Sequence, residues 1–173
     1  YMNKKILSIS IGYNHKNLFG SENDSILFFN TFYKFYSKDD CWLKPRILNN
    51  KMSKMDEVIK IITNSSSFDI LIIYFSGHGY LNNIRFYNEN ISKNKFYNLI
   101  NESLKSDINL ILILDCCYSE SFYKEQKNNK IKYLNLFSSC RYFEKSNEGI
   151  VNYNKNMFKY LKPNIIENSK IVL

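Results

Sequence analysis

Two short stretches of this chain carry residue types suited to chemistry: Ser76-Gly77-His78-Gly79 and Asp115-Cys116-Cys117-Tyr118-Ser119. Each ends an apolar run, "FDILIIYF" (68–75) or "NLILILD" (109–115), that lacks alternation, as a strand covered on both faces should. In a mainly parallel sheet, functional groups gather beyond the carboxyl ends of the strands. If the two runs are neighbours, a histidine and a cysteine lie side by side at that edge. Such a pair suits nucleophilic thiol catalysis, in which a thiolate attacks and an imidazole accepts a proton and returns it to the leaving amine. Gly77 and Gly79 allow a tight turn, and Gly79 offers an unobstructed backbone N–H to a developing oxyanion. Either motif alone has an ordinary explanation: a histidine at a strand end is commonly solvated, and a cysteine after an apolar strand is commonly core. Together, in this order and on matching strand ends, they favour a cysteine-hydrolase site.

The elements that must position these residues read as alternating strands and helices. "KKILSISIG" (4–12) is a first strand, followed by a helix over 21–36 with Leu27, Phe28, Thr31, Phe32 and Phe35 on one face. Asn23 or Asp24 is available as its N-cap. "CWLKPRIL" (41–48) is a short strand whose Pro45 suggests an edge position. A second helix over 53–63 has Met55, Val58, Ile59 and Ile62 as its apolar stripe, and a third fits 92–104. The polar, unpatterned segment 119–132 is the best linker, before a strand at 133–139 and a last helix at 152–161. This order implies an α/β fold, a three-layer α-β-α sandwich around a mainly parallel central sheet.

Composition narrows the remaining classes. With 173 residues, 45% hydrophobic, 14 Tyr and 13 Phe, one packed globular domain is expected. Alanine is absent, and Asn, Lys, Ile and Tyr are abundant, preferences that go together in AT-rich coding sequence. The formal charge of +8 comes from scattered lysines without a dense run or an arginine cluster, so nucleic acid is not an expected partner. Four cysteines (Cys41, Cys116, Cys117, Cys140) show no metal-ligand spacing and no simple disulfide framework, which points to a reducing, cytoplasmic setting. The apolar stretch in "MNKKILSISIG" is short and broken by Ser8 and Ser10, so it reads as a strand rather than a signal peptide. No apolar run reaches membrane-spanning length, and no membrane partner is expected.

"YFSGHG" followed by "LILDCCYS" resembles the caspase-like cysteine peptidases, the metacaspases and their bacterial relatives in particular. "IGYNHKNLFGSENDS" (11–25) is similar to that family's opening strand and its Asn-Asp loop, and "LFSSCRYFEKSNEG" with "NKNMFKYL" to the start of its small subunit. All five glycines fall in these matching segments. The resemblance implies a single caspase-like domain over 1–173, with 1–118 large-subunit-like, 119–132 a linker, and 133–173 small-subunit-like and truncated. It implies a His78–Cys117 dyad, because the family places its nucleophile two residues after the aspartate, and an oxyanion hole from Gly79 and Cys117. It also implies a P1 pocket of Asp24, Ser76 and Asp115, and hence an endopeptidase cutting polypeptides after Arg or Lys, with cell-death or stress-response roles. Two carboxylates suit a basic side chain by charge and hydrogen bonding.

Three departures stand out: Glu120 where the family usually has glycine, Tyr118 where metacaspases commonly have histidine, and only Glu89, Glu102 and Asp107 between the two motifs. That last set is thin for calcium, so no cofactor is expected to be required and no metal site is assigned. A monomer is expected. His15, in an early polar loop, reads as a surface residue. The lysines of the linker (Lys124, Lys127, Lys130, Lys132) are expected sites of self-cleavage. The alternative to an enzyme is a catalytically silent caspase-like interaction module; a nucleic-acid-binding domain has only net charge in its favour.

Overall fold

The apolar runs form the centre of a parallel sheet, as their lack of alternation requires. The computed structural model describes residues 4–16, 18–36, 38–123 and 130–140. The expected last helix, most of the small-subunit-like segment, Lys124 and Lys127 lie outside them. Among the described residues, five parallel strands make the main sheet in the order β2-β1-β3-β7-β8. They are β1 (Ile6–Gly12), β2 (Arg46–Asn49), β3 (Ile70–Ser76), β7 (Ile108–Asp115) and β8 (Ile131–Ser138). The α-helices of the described residues are α1 (Ser21–Tyr36), α2 (Met55–Asn64) and α3 (Lys93–Ser103).

Strand alternation sorts the central side chains into two cores. Ile70, Ile72 and Tyr74 of β3 meet Phe28 and Phe32 of α1, with Phe28 stacked on Tyr74 at 4.4 Å. Leu71, Ile73 and Phe75 instead meet Met55, Val58 and Ile62 of α2 and Phe96 and Ile100 of α3. The result is the three-layer caspase-like sandwich expected from the sequence, with β2 at an edge as Pro45 suggests.

Three local readings need correction. Helix α1 begins at Ser21, so Asn23 and Asp24 lie in its first turn rather than at its N-cap position; the Glu22 N–H is taken by Asn14 Oδ1 at 3.2 Å. Its apolar stripe is narrower than expected, because Leu27 is exposed while Phe28 and Phe32 are buried. The proposed linker is ordered at both ends. Ser119–Phe122 forms a 3-10 turn whose Phe122 packs on Phe96 at 5.8 Å and accepts the Tyr97 hydroxyl at 2.8 Å. At its other end, Lys132 lies in β8 and pairs with Asp107 at 3.1 Å, and Lys130 Nζ donates to the Leu104 carbonyl at 2.6 Å.

A small antiparallel sheet went unread in the sequence: β4 (Gly79–Tyr80), β5 (Asn83–Arg85) and β6 (Asn90–Ser92). Strands of two and three residues are shorter than any window in which period-2 alternation is visible. The available signal was the Asn82-Asn83 pair, because Asn82 adopts φ 59 in the β4–β5 turn.

Candidate active site

Three strands end at one level. In register, Gly12 of β1 lies beside Ser76 of β3, and Ser76 beside Asp115 of β7. Period-2 alternation then puts Ser76 and Asp115 on the α1 face, with Tyr74, and Phe75, Leu114 and Cys116 on the other. Gly12 lets α1 approach this edge: a Cβ there would lie 2.5 Å from the Ser21 carbonyl oxygen. The first turn of the helix thereby reaches the strand ends and brings Asp24 with it.

Beyond the strand ends, the two chemical motifs meet. A Cβ built on Gly79 would overlap the Cys117 carbonyl oxygen and lie 2.8 Å from Cys116 Sγ, so only glycine fits between β4 and the cysteine pair. The Arg85 N–H donates to the His78 carbonyl at 2.9 Å. That bond makes Gly79 and Ile84 a non-hydrogen-bonded pair, and the Gly79 N–H points away from β5. Tyr118, at φ 55, turns the chain sharply after Cys117 into the 3-10 turn. Bonds to the end of β8 hold this turn. Ser119 Oγ accepts the Cys140 N–H at 3.0 Å, and Ser139 Oγ accepts the Cys116 N–H at 3.1 Å.

The adjacent cysteines differ sharply. Cys116 is buried in the core, and burial, then Asp115, Cys117 and Cys140, push its thiol well above the usual range. A thiol so held is a poor source of thiolate. Cys117 is half-buried at the edge.

His78 is half-buried, with Nε2 at 2.9 Å from the His15 carbonyl oxygen. A carbonyl only accepts, so Nε2 carries a proton and Nδ1 is the basic ring atom. His15, expected at the surface, is only partly exposed and packs at the site. It is half-buried, and its ring meets His78 at 5.6 Å between centroids and 88° between planes. Sequence reasoning missed it because a polar loop hides what β1 and β3, as parallel neighbours, bring together. The readable signal was that the chain has only 2 histidines.

Asp24, Ser76 and Asp115, the residues expected to form a pocket, also converge. Ser76 Oγ donates to Asp24 Oδ2 at 3.3 Å, and the Tyr74 hydroxyl to Asp115 Oδ2 at 3.4 Å. Burial, and next the charge of Asp24, raise the Asp115 carboxyl to about 6, against hydrogen bonds from Ser139 and Tyr74 that lower it. The Asp24 carboxylate is thus close enough to oppose ionisation of Asp115. Glu120 is exposed and lines a surface cavity with Lys93, Ser121 and Tyr123. Among the described residues, no group of three His, Cys, Asp or Glu is placed to hold a metal ion, and no helix is long and apolar enough to cross a membrane.

A comparison with curated proteins gave no match. Against family models, residues 22–161 match the Peptidase C13 family, a span that includes all but the first residue of α1, the His78 motif and the Cys117 motif. The chain belongs to the Peptidase C13 family, a caspase-like group of cysteine peptidases.

Proposed function

We propose that the chain is a metacaspase-like endopeptidase that uses Cys117 and His78 to cleave polypeptides after Arg or Lys. Cys117 gives its proton to His78 Nδ1, and the thiolate attacks the scissile carbonyl carbon. Negative charge on the carbonyl oxygen is met by the N–H groups of Gly79 and Cys117. His78 then protonates the leaving amine, the C–N bond breaks, and a thioester remains on Cys117. Water, deprotonated by Nδ1, hydrolyses it and restores the thiol. A reducing setting such as the cytoplasm belongs to the same proposal, since Cys117 acts only as a thiol.

The observation that carries the specificity is the Asp24–Ser76–Asp115 cluster, at the same sheet edge as the Gly79–Cys117 contact but on the α1 face. Carboxylates that raise each other's proton affinity are relieved by a guanidinium or ammonium between them. The test is cleavage of a peptide panel varied only at P1, alongside labelling with a basic-P1 peptide electrophile. Cleavage after Arg and Lys, with label on Cys117 alone, is expected. Preference for an acidic or an uncharged P1 residue overturns the pocket assignment.

A further inference from the structure

His15 contributes two different groups to the surroundings of His78. Its carbonyl oxygen accepts from Nε2 at 2.9 Å, and also from the Leu18 N–H at 3.2 Å. Its imidazole packs against the His78 ring at 5.6 Å in an edge-to-face arrangement. A single N–H···O bond fixes one atom of a ring but leaves the ring able to swing about that bond. A wall at right angles removes the swing. Both restraints come from residue 15, and only the second belongs to its side chain.

The wall is itself held. Tyr13 lies tilted against the His15 ring at 5.6 Å, and Tyr87 meets Tyr13 edge-on at 5.7 Å, with Lys54 Nζ 5.6 Å from the Tyr87 centroid. Tyr13 is anchored to the sheet by its N–H bond to the Ser76 carbonyl at 3.1 Å, and Lys16 at φ 56 turns the chain just beyond. Among the described residues, His15 Nδ1 is buried and has no hydrogen-bond partner. The charged groups acting on it are all cationic, namely Lys16, Arg85 and His78 when protonated. Burial, followed by those three, holds its proton affinity below that of an ordinary histidine, which favours the uncharged ring. A side chain packed this way beside a catalytic base acts through geometry.

We propose that the His15 imidazole is a positioning residue for the dyad, holding the plane of His78 so that Nδ1 faces Cys117. This rests on the peptidase reading above. Substitution leaves the main-chain carbonyl in place and so isolates the side chain. The test compares wild type, His15→Ala and His15→Phe for kcat and KM on a basic-P1 peptide and for Cys117 alkylation by iodoacetamide, with thermal melts confirming folding. His15→Ala is expected to lower kcat about tenfold to a hundredfold, the scale of a misplaced catalytic group, with KM unchanged. His15→Phe rebuilds the wall without a titratable ring and is expected to recover most of kcat. Alkylation should follow the same order. Wild-type kcat in folded His15→Ala, or no recovery in folded His15→Phe, overturns the proposal. A wild type that cleaves no peptide refutes the peptidase reading instead; alkylation slowed in His15→Ala and restored in His15→Phe would then still support the positioning role, and equal rates in all three would end it.

Discussion

The two faces of the sheet end differently at the same edge. On the α1 face the last residues are Gly12, Ser76 and Asp115, small or polar, with Ser76 and Asp115 both interacting with Asp24. On the opposite face Phe75, Leu114 and Cys116 continue the core to the strand ends. The difference follows from the two-residue period of a strand, which sends neighbours in sequence to opposite sides. One face can therefore hold a charged pocket while the other supplies the rigidity that keeps it in place. Asp115 and Cys116 are adjacent in sequence and belong to different environments. Cys117 follows where the strand has ended, so it belongs to neither face.

The sharpest way to break this contrast is to exchange the two cysteines' fates. Cys117→Ala is expected to lower peptidase activity by roughly 10³-fold or more, since the covalent route is lost. Cys116→Ala is expected to keep most activity and to lose about 1 kcal/mol of stability, the usual scale for trimming a small buried side chain. Kinetics and thermal melts on both variants decide it. Activity that survives in Cys117→Ala and vanishes in folded Cys116→Ala would reverse the assignment.

Gly79 tests whether the boundary between the faces is as tight as the backbone contact implies. An alanine methyl would overlap the Cys117 carbonyl oxygen and press on Cys116 Sγ at 2.8 Å, so β4 or the cysteine turn must move. Overpacking of this kind costs about 1–3 kcal/mol. Displacing an oxyanion donor lowers kcat by roughly 10²–10³-fold. Gly79→Ala is thus expected to reduce both melting temperature and kcat, with kcat the larger effect. A variant with normal kcat would show that the Gly79 N–H is no part of the oxyanion hole.

The sequence was informative where long-range order follows from local pattern. Unalternating runs at 68–75 and 109–115 became the adjacent central strands β3 and β7, and His78 and Cys117 follow their ends because a parallel sheet aligns strand termini. Asp24 was identified by its resemblance, but its presence at the edge depends on Gly12 admitting α1, a contact between residues in different elements. His15, Ser119 and Ser139 were illegible for the same reason. Each matters through a partner distant in sequence: His78 for His15, Cys140 for Ser119 and Cys116 for Ser139. The short strands β4 to β6 left no periodic trace, although they set the direction of the Gly79 N–H.

The smallest expected effect reads the polar face through pH. Asp115 has its carboxyl raised from 3.8 to about 6, first by burial and then by Asp24. Between those values the folded chain holds a proton that the unfolded chain has released, so this group's contribution to stability falls as pH rises through the window. Above pH 6 both states are ionised and the folded chain carries the full penalty, at most about 3 kcal/mol at about 1.4 kcal/mol per pKa unit. Asp115→Asn is therefore expected to melt higher than wild type at pH 7 and nearly level with it at pH 4. Substrate reports the opposite side of the same balance. An arginine at P1 favours ionised Asp115, so KM for a basic-P1 peptide should rise several-fold to tenfold as pH falls from 7 to 5. KM of Asp115→Asn, already high, should barely change. Parallel pH profiles of KM in wild type and variant would show that Asp115 does not contact the basic side chain.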